Sequence, residues 1–465
     1  MKPAIATVLA ALLAACAAGP DYRAPEAGAP EAFGTADGPG LAQGIPDPEW
    51  WRGFDDPLLA TLVERAAASN HDLRIAVANL RASRALLAGG RFEFLPIITA
   101  EAGASREKQS AAADLPYTLK DTYYDAGFDV AWEIDVFGRV RRSVEALSAD
   151  YGSEDARYRD TLRTVIAEVA RTYVDLRGIQ YRLAVAERNT RNQVETYDLT
   201  RALLDGGRGT DLDIARALAQ LETTRSSIGP LQAAEVEAIN RLAVLCGGMP
   251  AEFRELLGPP TALPRPPDLI PVTDPATMLR RRPDIRAAER QLAAATARTG
   301  VAVADYFPRV SLTGSFGWRS TSLSRLGDSD AERYSIGPTI SWAALDLGRV
   351  RARVQANDAR TEAALATWEK TVLTALQEAE SALNRYSRAL ETSARLQIAA
   401  EASSQAADLA RLRYRNGADS FLTVLDAERR QLEAEDRLAA AETDASLAAV
   451  AVYKALGGGW ETFAP

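Results

Sequence analysis

The chain has 465 residues, more than one ordinary domain holds, and it is 47% hydrophobic and 25% charged, the balance of a folded rather than a disordered chain. Its formal charge of −9 excludes a basic surface for nucleic acid or anionic lipid. One histidine, His71, and two cysteines, Cys16 and Cys246, leave His/Cys zinc sites and Ser-His-Asp chemistry poorly supplied.

Residues 1–15 have one lysine, Lys2, followed by a short apolar core, which is the shape of a signal peptide. The segment ends Leu13-Ala14-Ala15-Cys16, which resembles the bacterial lipoprotein box. That likeness implies acylation of Cys16, with palmitate among the expected chains, and Ala17 after it points to the outer membrane. Each buried CH₂ contributes about 0.8 kcal/mol, so several acyl chains would anchor the N-terminus firmly. Residues 16–56 form the lipidated leader, extended and rich in Pro, Gly and Ala.

Repeat 1 covers residues 57–246. A helix is expected from Pro57 to Gly89, with Leu58, Leu62, Ala66, Leu73, Leu80 and Leu87 on one side. A β-hairpin follows over 96–137. Its second strand, from Tyr124, has Tyr124, Phe128, Val130, Trp132 and Ile134 on one face and Asp125, Gly127, Asp129, Glu133 and Asp135 on the other. That alternation is a strand between two different solvents. Gly138 ends it, and a proline-free run from Arg139 to about Ala202 has apolar steps of three, four and seven, the seam of a coiled coil. About 64 residues at 1.5 Å each make about 95 Å of helix. A turn at 205–209 leads to a helix capped by Thr210 and running to Cys246, which reads as a small packed residue.

Residues 247–274 are a Pro-rich inter-repeat linker, or equatorial region. Repeat 2 covers 275–456: a helix, a β-hairpin over 308–347, a long helix, a turn at 415–419 and a last helix, with a tail at 457–465. Gly127 and Gly337, Trp132 and Trp342, Gly138 and Gly348 each stand 210 residues apart. Asp72 and Asp284, and Pro96 and Pro308, stand 212 apart, so the first hairpin is two residues longer.

Four strands with a lipid-compatible face cannot close on themselves, and an unpaired edge costs several kcal/mol per group in hydrocarbon. Barrels need about eight strands or more. Two chains would give eight and a plugged interior, three would give twelve and an open lumen. The polar face, with Asp125, Asp129, Glu133, Thr313 and Ser315, favours water inside. The expected fold is therefore a mixed α and β membrane protein. Each chain supplies four strands of a trimeric 12-stranded outer-membrane β-barrel, continued into a long coiled-coil α-helical barrel, from two tandem structural repeats.

The start at Cys16 (CAAGPDYRAP), the stretch Arg281 to Glu289 (RRPDIRAAE), the strand from Phe307-Pro308 to Gly314-Ser315, and Tyr414 to Asp426 (YRNGADSFLTVLD) resemble the TolC-like outer membrane factors, the outer-membrane efflux lipoproteins. The likeness covers essentially the whole mature chain. It implies a passive exit duct of a tripartite efflux or export system, embedded in outer-membrane lipid and docked to a periplasmic adaptor and an inner-membrane pump. No cofactor is implied.

The likeness also implies a gate where the helical tube narrows near the two helix turns. Leu422 and Asp426 would form rings around the axis, with Thr423 where some relatives carry a further aspartate. Asp213, opposite Tyr414, would latch the tip. Leu422 and Asp426 are four apart, hence on one helix face. Three carboxylates around an axis repel, raise their own pKa and attract cations. Without the likeness, an ordinary exposed helix residue is the plainer reading of Asp426. Two other functions compete with the duct. An enzyme would need paired carboxylates across a cleft, whereas alternation sets Asp125, Asp129 and Glu133 in a row along one wall. A periplasmic coiled-coil adaptor or scaffold lipoprotein would suit the long hairpins but would not need two alternating strand pairs ending in aromatics.

Overall fold

The computed structural model describes residues 17–108 and 120–463. The expected signal peptide, Cys16 and most of the loop of the first hairpin lie outside the described residues. In chain order the strands are β1 (Leu41–Gln43), β2 (Ile97–Lys108), β3 (Lys120–Ile134), β4 (Ile270–Val272), β5 (Arg309–Ser320) and β6 (Glu332–Ser341). The helices are α1 (Pro57–Ser69), α2 (His71–Arg91), α3 (Arg139–Asp205), α4 (Asp211–Ser226), α5 (Ile228–Leu245), α6 (Pro250–Leu257), α7 (Pro275–Arg281), α8 (Pro283–Ala304), α9 (Leu347–Arg415) and α10 (Phe421–Ala455).

The chain divides into two compact units. One, of Met1–Glu26, Asn79–Asp155 and Ala287–Glu369, holds an antiparallel sheet in the order β2-β3-β5-β6. The two hairpins are joined at its centre, where β3 pairs β5 from Tyr124↔Ser320 to Ile134↔Val310. Both alternating stretches thus share one sheet. Gly127 faces Gly317 there, and a Cβ on Gly317 would come within 2.4 Å of the Ala126 carbonyl oxygen, so this approach of strands requires glycine.

The other unit comprises Ala27–Ala78, Ala156–Arg286 and Lys370–Pro465. Here the long helices behave as the seam pattern predicts. Leu162, Ile166, Val169, Tyr173 and Leu176 of α3 are buried.

Three helices expected to be continuous are interrupted, each for a local reason. Asn70 leaves the helical conformation at ψ 135°; its side-chain oxygen accepts from the amides of Asp72 and Leu73, and its amide donates to the Leu245 carbonyl. That N-cap starts α2 anew. Arg282 is extended at ψ 119° because Pro283 follows it, which splits α7 from α8. Pro230 lacks the amide that would continue α4 into α5 past Ser227.

The leader and the Pro-rich stretch are more ordered than their composition implies. β1 pairs in parallel with β4, Leu41 to Ile270 and Gln43 to Val272. The leader also contributes Trp50, Trp51 and Phe54, all buried, with Trp50 stacked on Tyr453 at 5.0 Å and Trp51 on Phe463 at 5.8 Å.

Candidate functional site: a two-faced sheet and a helix-turn tip

The register fixes which side chains share a face of the sheet. Phe128 stands beside Ala100 and Phe316, and Phe316 beside Tyr334. Val130 stands beside Ile98, and Trp132 beside Leu312. This face is apolar, yet within its unit it is open: Tyr334 is 76% and Ile336 75% exposed. A patch of this kind marks an interaction surface. Among the described residues the outer strands β2 and β6 each have one neighbour, so each presents an unpaired edge. Pro338 in β6 fits an edge position.

The opposite face is polar and largely paired. Arg333 reaches Asp125 at 3.2 Å, and Arg319 donates to Glu107 at 3.0 Å with its guanidinium 4.4 Å from the Tyr123 ring centre. Glu133 takes a two-pronged bond from Arg139, at 2.7 and 2.8 Å. Sequence reasoning picked out the acids and missed the arginines. Alternation in the sequence sets Arg319 on the polar side of β5, and the register then places it directly across from Asp125. Asp135 does not belong to this wall. Its carboxylate accepts from the amides of Val140 and Arg141 and so caps α3.

The two tryptophans of the repeated phrase do the same job. The Trp132 indole donates to the Phe94 carbonyl and the Trp342 indole to the Tyr306 carbonyl, each at 3.0 Å. The spans are 38 and 36 residues, which places the two-residue difference between the halves inside the first hairpin.

In the other unit, α3 turns into α4 through Gly207 and α9 into α10 through Gly417, both with positive φ. Arg413 clamps the second turn through Asp419 at 2.6 Å. Tyr414, Phe421, Val424, Ala410 and Ala217 form a buried cluster, with the Tyr414 and Phe421 rings 5.6 Å apart. Leu422, Thr423 and Asp426 are exposed, on the side of α10 away from that cluster. Asp426 is paired with Arg430, one turn on, at 3.0 Å. Arg430 was also legible, four residues after an acid on a helix.

The two residues expected to form a latch lie near each other without a direct bond. The Asp213 carboxylate accepts from Thr210 Oγ1 at 2.7 Å, and the Asp213 amide donates back to that hydroxyl at 3.2 Å, which caps α4. The Tyr414 hydroxyl is enclosed, with Thr200 beside it. Its pKa is raised by burial, with Thr200 offsetting part of that and the Asp213 charge adding to it.

Among the described residues no group of three or more His, Cys, Asp or Glu could hold a metal ion, and no helix is long and apolar enough to cross a membrane. The sequence model of the outer membrane efflux protein family matches residues 62–248 and 275–458. The chain belongs to this family. Outer membrane protein OprJ of Pseudomonas aeruginosa is 32% identical over 99% of this chain and 97% of its own length. The solvent efflux pump outer membrane protein SrpC of Pseudomonas putida is 32% identical over 97% of this chain and 96% of its own. The solved structure of the outer-membrane channel OprN is 43% identical, covers 96% of this chain and all of its own, and superimposes with a TM-score of 0.92.

Members of the outer membrane efflux family are channels rather than enzymes, and this one is an outer-membrane efflux channel. A periplasmic adaptor, the other reading of the helices, is not favoured. The Arg281-Arg282-Pro283-Asp284 motif is structural here. Arg282 is buried, paired with Asp284 at 2.6 Å and Glu378 at 2.7 Å, and it donates to the Ala455 carbonyl at 3.1 Å. Arg163, also buried, donates to the Lys454 carbonyl at 2.7 Å. Two guanidinium groups thus close the C-terminal end of α10, where the helix dipole favours a cation. The start of the described leader is fixed as firmly. The Ala18 amide donates to the Phe137 carbonyl at 2.9 Å, and Arg142 binds the Ala18 carbonyl at 3.2 Å and Asp21 at 2.6 Å.

Proposed function

We propose that three copies of the chain close their sheets edge to edge into a 12-stranded β-barrel in the outer membrane, continued by the helices as a coiled-coil duct through the periplasm. The carrying observation is the four-stranded sheet, apolar on one face, polar on the other and unpaired at both edges. In hydrocarbon an open edge is untenable, so β6 of one copy must pair with β2 of the next. The two tandem repeats, 57–246 and 275–456, each supply one hairpin and one helix-turn. Efflux cargo would leave passively through the lumen, delivered by an inner-membrane pump and a periplasmic adaptor that docks on the helical tip.

At that tip, Leu422, Thr423 and Asp426 line the narrowest point, and Asp213 and Tyr414 hold the paired turns. The exposure of the first three supports this reading, as does the location of the last two beside the turns. Acyl chains on Cys16 would add a lipid anchor, two residues before the Ala18–Phe137 bond.

The test is the mass and conductance of the purified full chain in detergent. A heat-sensitive trimer that opens ion-conducting pores in planar bilayers is expected. A monodisperse monomer without conductance would overturn the reading.

A further inference from the structure

Helix α10 has two unlike faces at its start. One is the exposed row of Leu422, Asp426 and Arg430. The other, Phe421, Val424, Glu428 and Gln431, is buried and turns polar as it leaves the turn. Glu428 is only 5% exposed. Its carboxylate accepts from Thr196 Oγ1 of α3 at 2.6 Å and meets Arg411 Nε of α9 at 3.2 Å, so one side chain ties three helices.

The row of α3 that faces it is Asn189, Gln193, Thr196 and Thr200, all buried. Steps of four, three and four are the seam positions of a coiled coil, where apolar side chains specify a fixed packing. Here they are polar and incompletely satisfied. Among the described residues neither the oxygen nor the nitrogen of the Gln193 amide has a partner. A buried amide left unpaired opposes the packing that buries it. Arg411 is divided between inside and outside: it meets Glu428 and Gln431 inward and Asp408 at 3.3 Å outward.

We propose that Glu428 is a positioning residue for the tip: as a buried carboxylate in a polar seam with an unpaired amide, it sets the balance between this close packing of α10 on α3 and a looser one that admits water. The proposal rests on the reading of Leu422, Thr423 and Asp426 as pore-lining, because rotation of α10 off α3 would re-aim that row.

The charges that face Glu428 are few. Arg411 comes from α9, backed by Asp408. On the same face of α10, seven residues on, is Glu435, held by Arg188 and Asn189 of α3 at 2.7 and 2.8 Å. α4 meets the cluster through Ala217. Burial raises the pKa of Glu428, against the Thr196 bond and the Arg411 charge. A group whose pKa is higher in the close packing binds its proton more tightly there. Protonation therefore favours the close packing, and loss of the proton as pH rises through the raised value favours the looser one.

The experiment follows amide hydrogen exchange of residues 421–435 in the purified full chain, corrected for intrinsic rates, together with bilayer conductance. Protection in the wild type should fall from pH 5 to pH 8. Glu428→Gln keeps a Thr196 partner without the charge; it should raise protection about tenfold at pH 7.5 and flatten the pH dependence. Gln193→Leu should raise protection while leaving the pH dependence in place. Unchanged or lower protection in both variants, or a wild type insensitive to pH, would overturn the proposal. If Glu428→Gln does not fold, Gln193→Leu and the wild-type pH series still decide. Exchange that responds as expected while conductance does not would leave the seam standing and reject the pore-lining role of Leu422, Thr423 and Asp426.

Discussion

Arg282 shows how much a single side chain can carry. It is 2% exposed and satisfied by two carboxylates and a carbonyl. Arg282→Ala strands Asp284 without its main partner, and breaking such a buried pair costs about 3–5 kcal/mol. A clear loss of thermal stability is expected by circular dichroism. Burial pushes the Asp284 pKa up, but the Arg282 bond and the Arg163 and Arg282 charges outweigh it, and the net shift is downward. A depressed acid contributes stability that is complete above its unfolded pKa of about 3.9 and is lost as pH falls through the folded value. Thermal scans below pH 4 should show that loss, and it should be smaller in Arg282→Ala. Asp426→Ala is different in kind. It removes an exposed acid paired only with Arg430, so stability should barely move while bilayer conductance rises if the ring reading is right. Asp426 was legible in the sequence because its letters resemble a family motif. Glu428 was not, since a charged letter in a helix reads as solvent-facing until its neighbours are known.

Among the elements, the strands were the most legible, because a strand between lipid and water must alternate with period two and little else imitates that. The long helices were equally plain, with no proline to interrupt the seam. What escaped were breaks and short pairings. Asn70 carries a capping signal that a run of leucines overrides on paper, and a three-residue ladder such as β1 with β4 leaves too little pattern to find. The strand-to-helix junction gives an element-scale test. Gly138 has φ +79°, and a Cβ there would come within 2.6 Å of the Ala17 side chain. Gly138→Ala should cost about 1–3 kcal/mol from strain alone. It should also free the leader, read as faster proteolysis before Tyr22 than in the wild type.

For the whole molecule, the proposed barrel turns on which face of the sheet would meet lipid. Ile336 lies on the apolar face, and Ser335, its neighbour in β6, on the polar one, where its hydroxyl is 3.2 Å from that of Ser315. A lysine on a lipid-facing strand costs about 2–4 kcal/mol at the bilayer midplane, while substitutions in a wet lumen are tolerated. Ile336→Lys should therefore reduce the trimer recovered from outer membranes, and Ser335→Lys should not. Equal recovery would contradict the assignment of the faces. A single chain has no pattern that records its copies; strand number and the polar face are what point to three.

The bond between Ala18 and Phe137 has a further meaning for insertion. A fatty acyl group on Cys16 would sit two residues from a point pinned to the junction of β3 and α3. Such a mooring would be short, because the chain is pinned at Ala18. It would set the depth at which β3 meets the inner leaflet, so the anchor would act as a height gauge for the wall and not only as a hold on the bilayer.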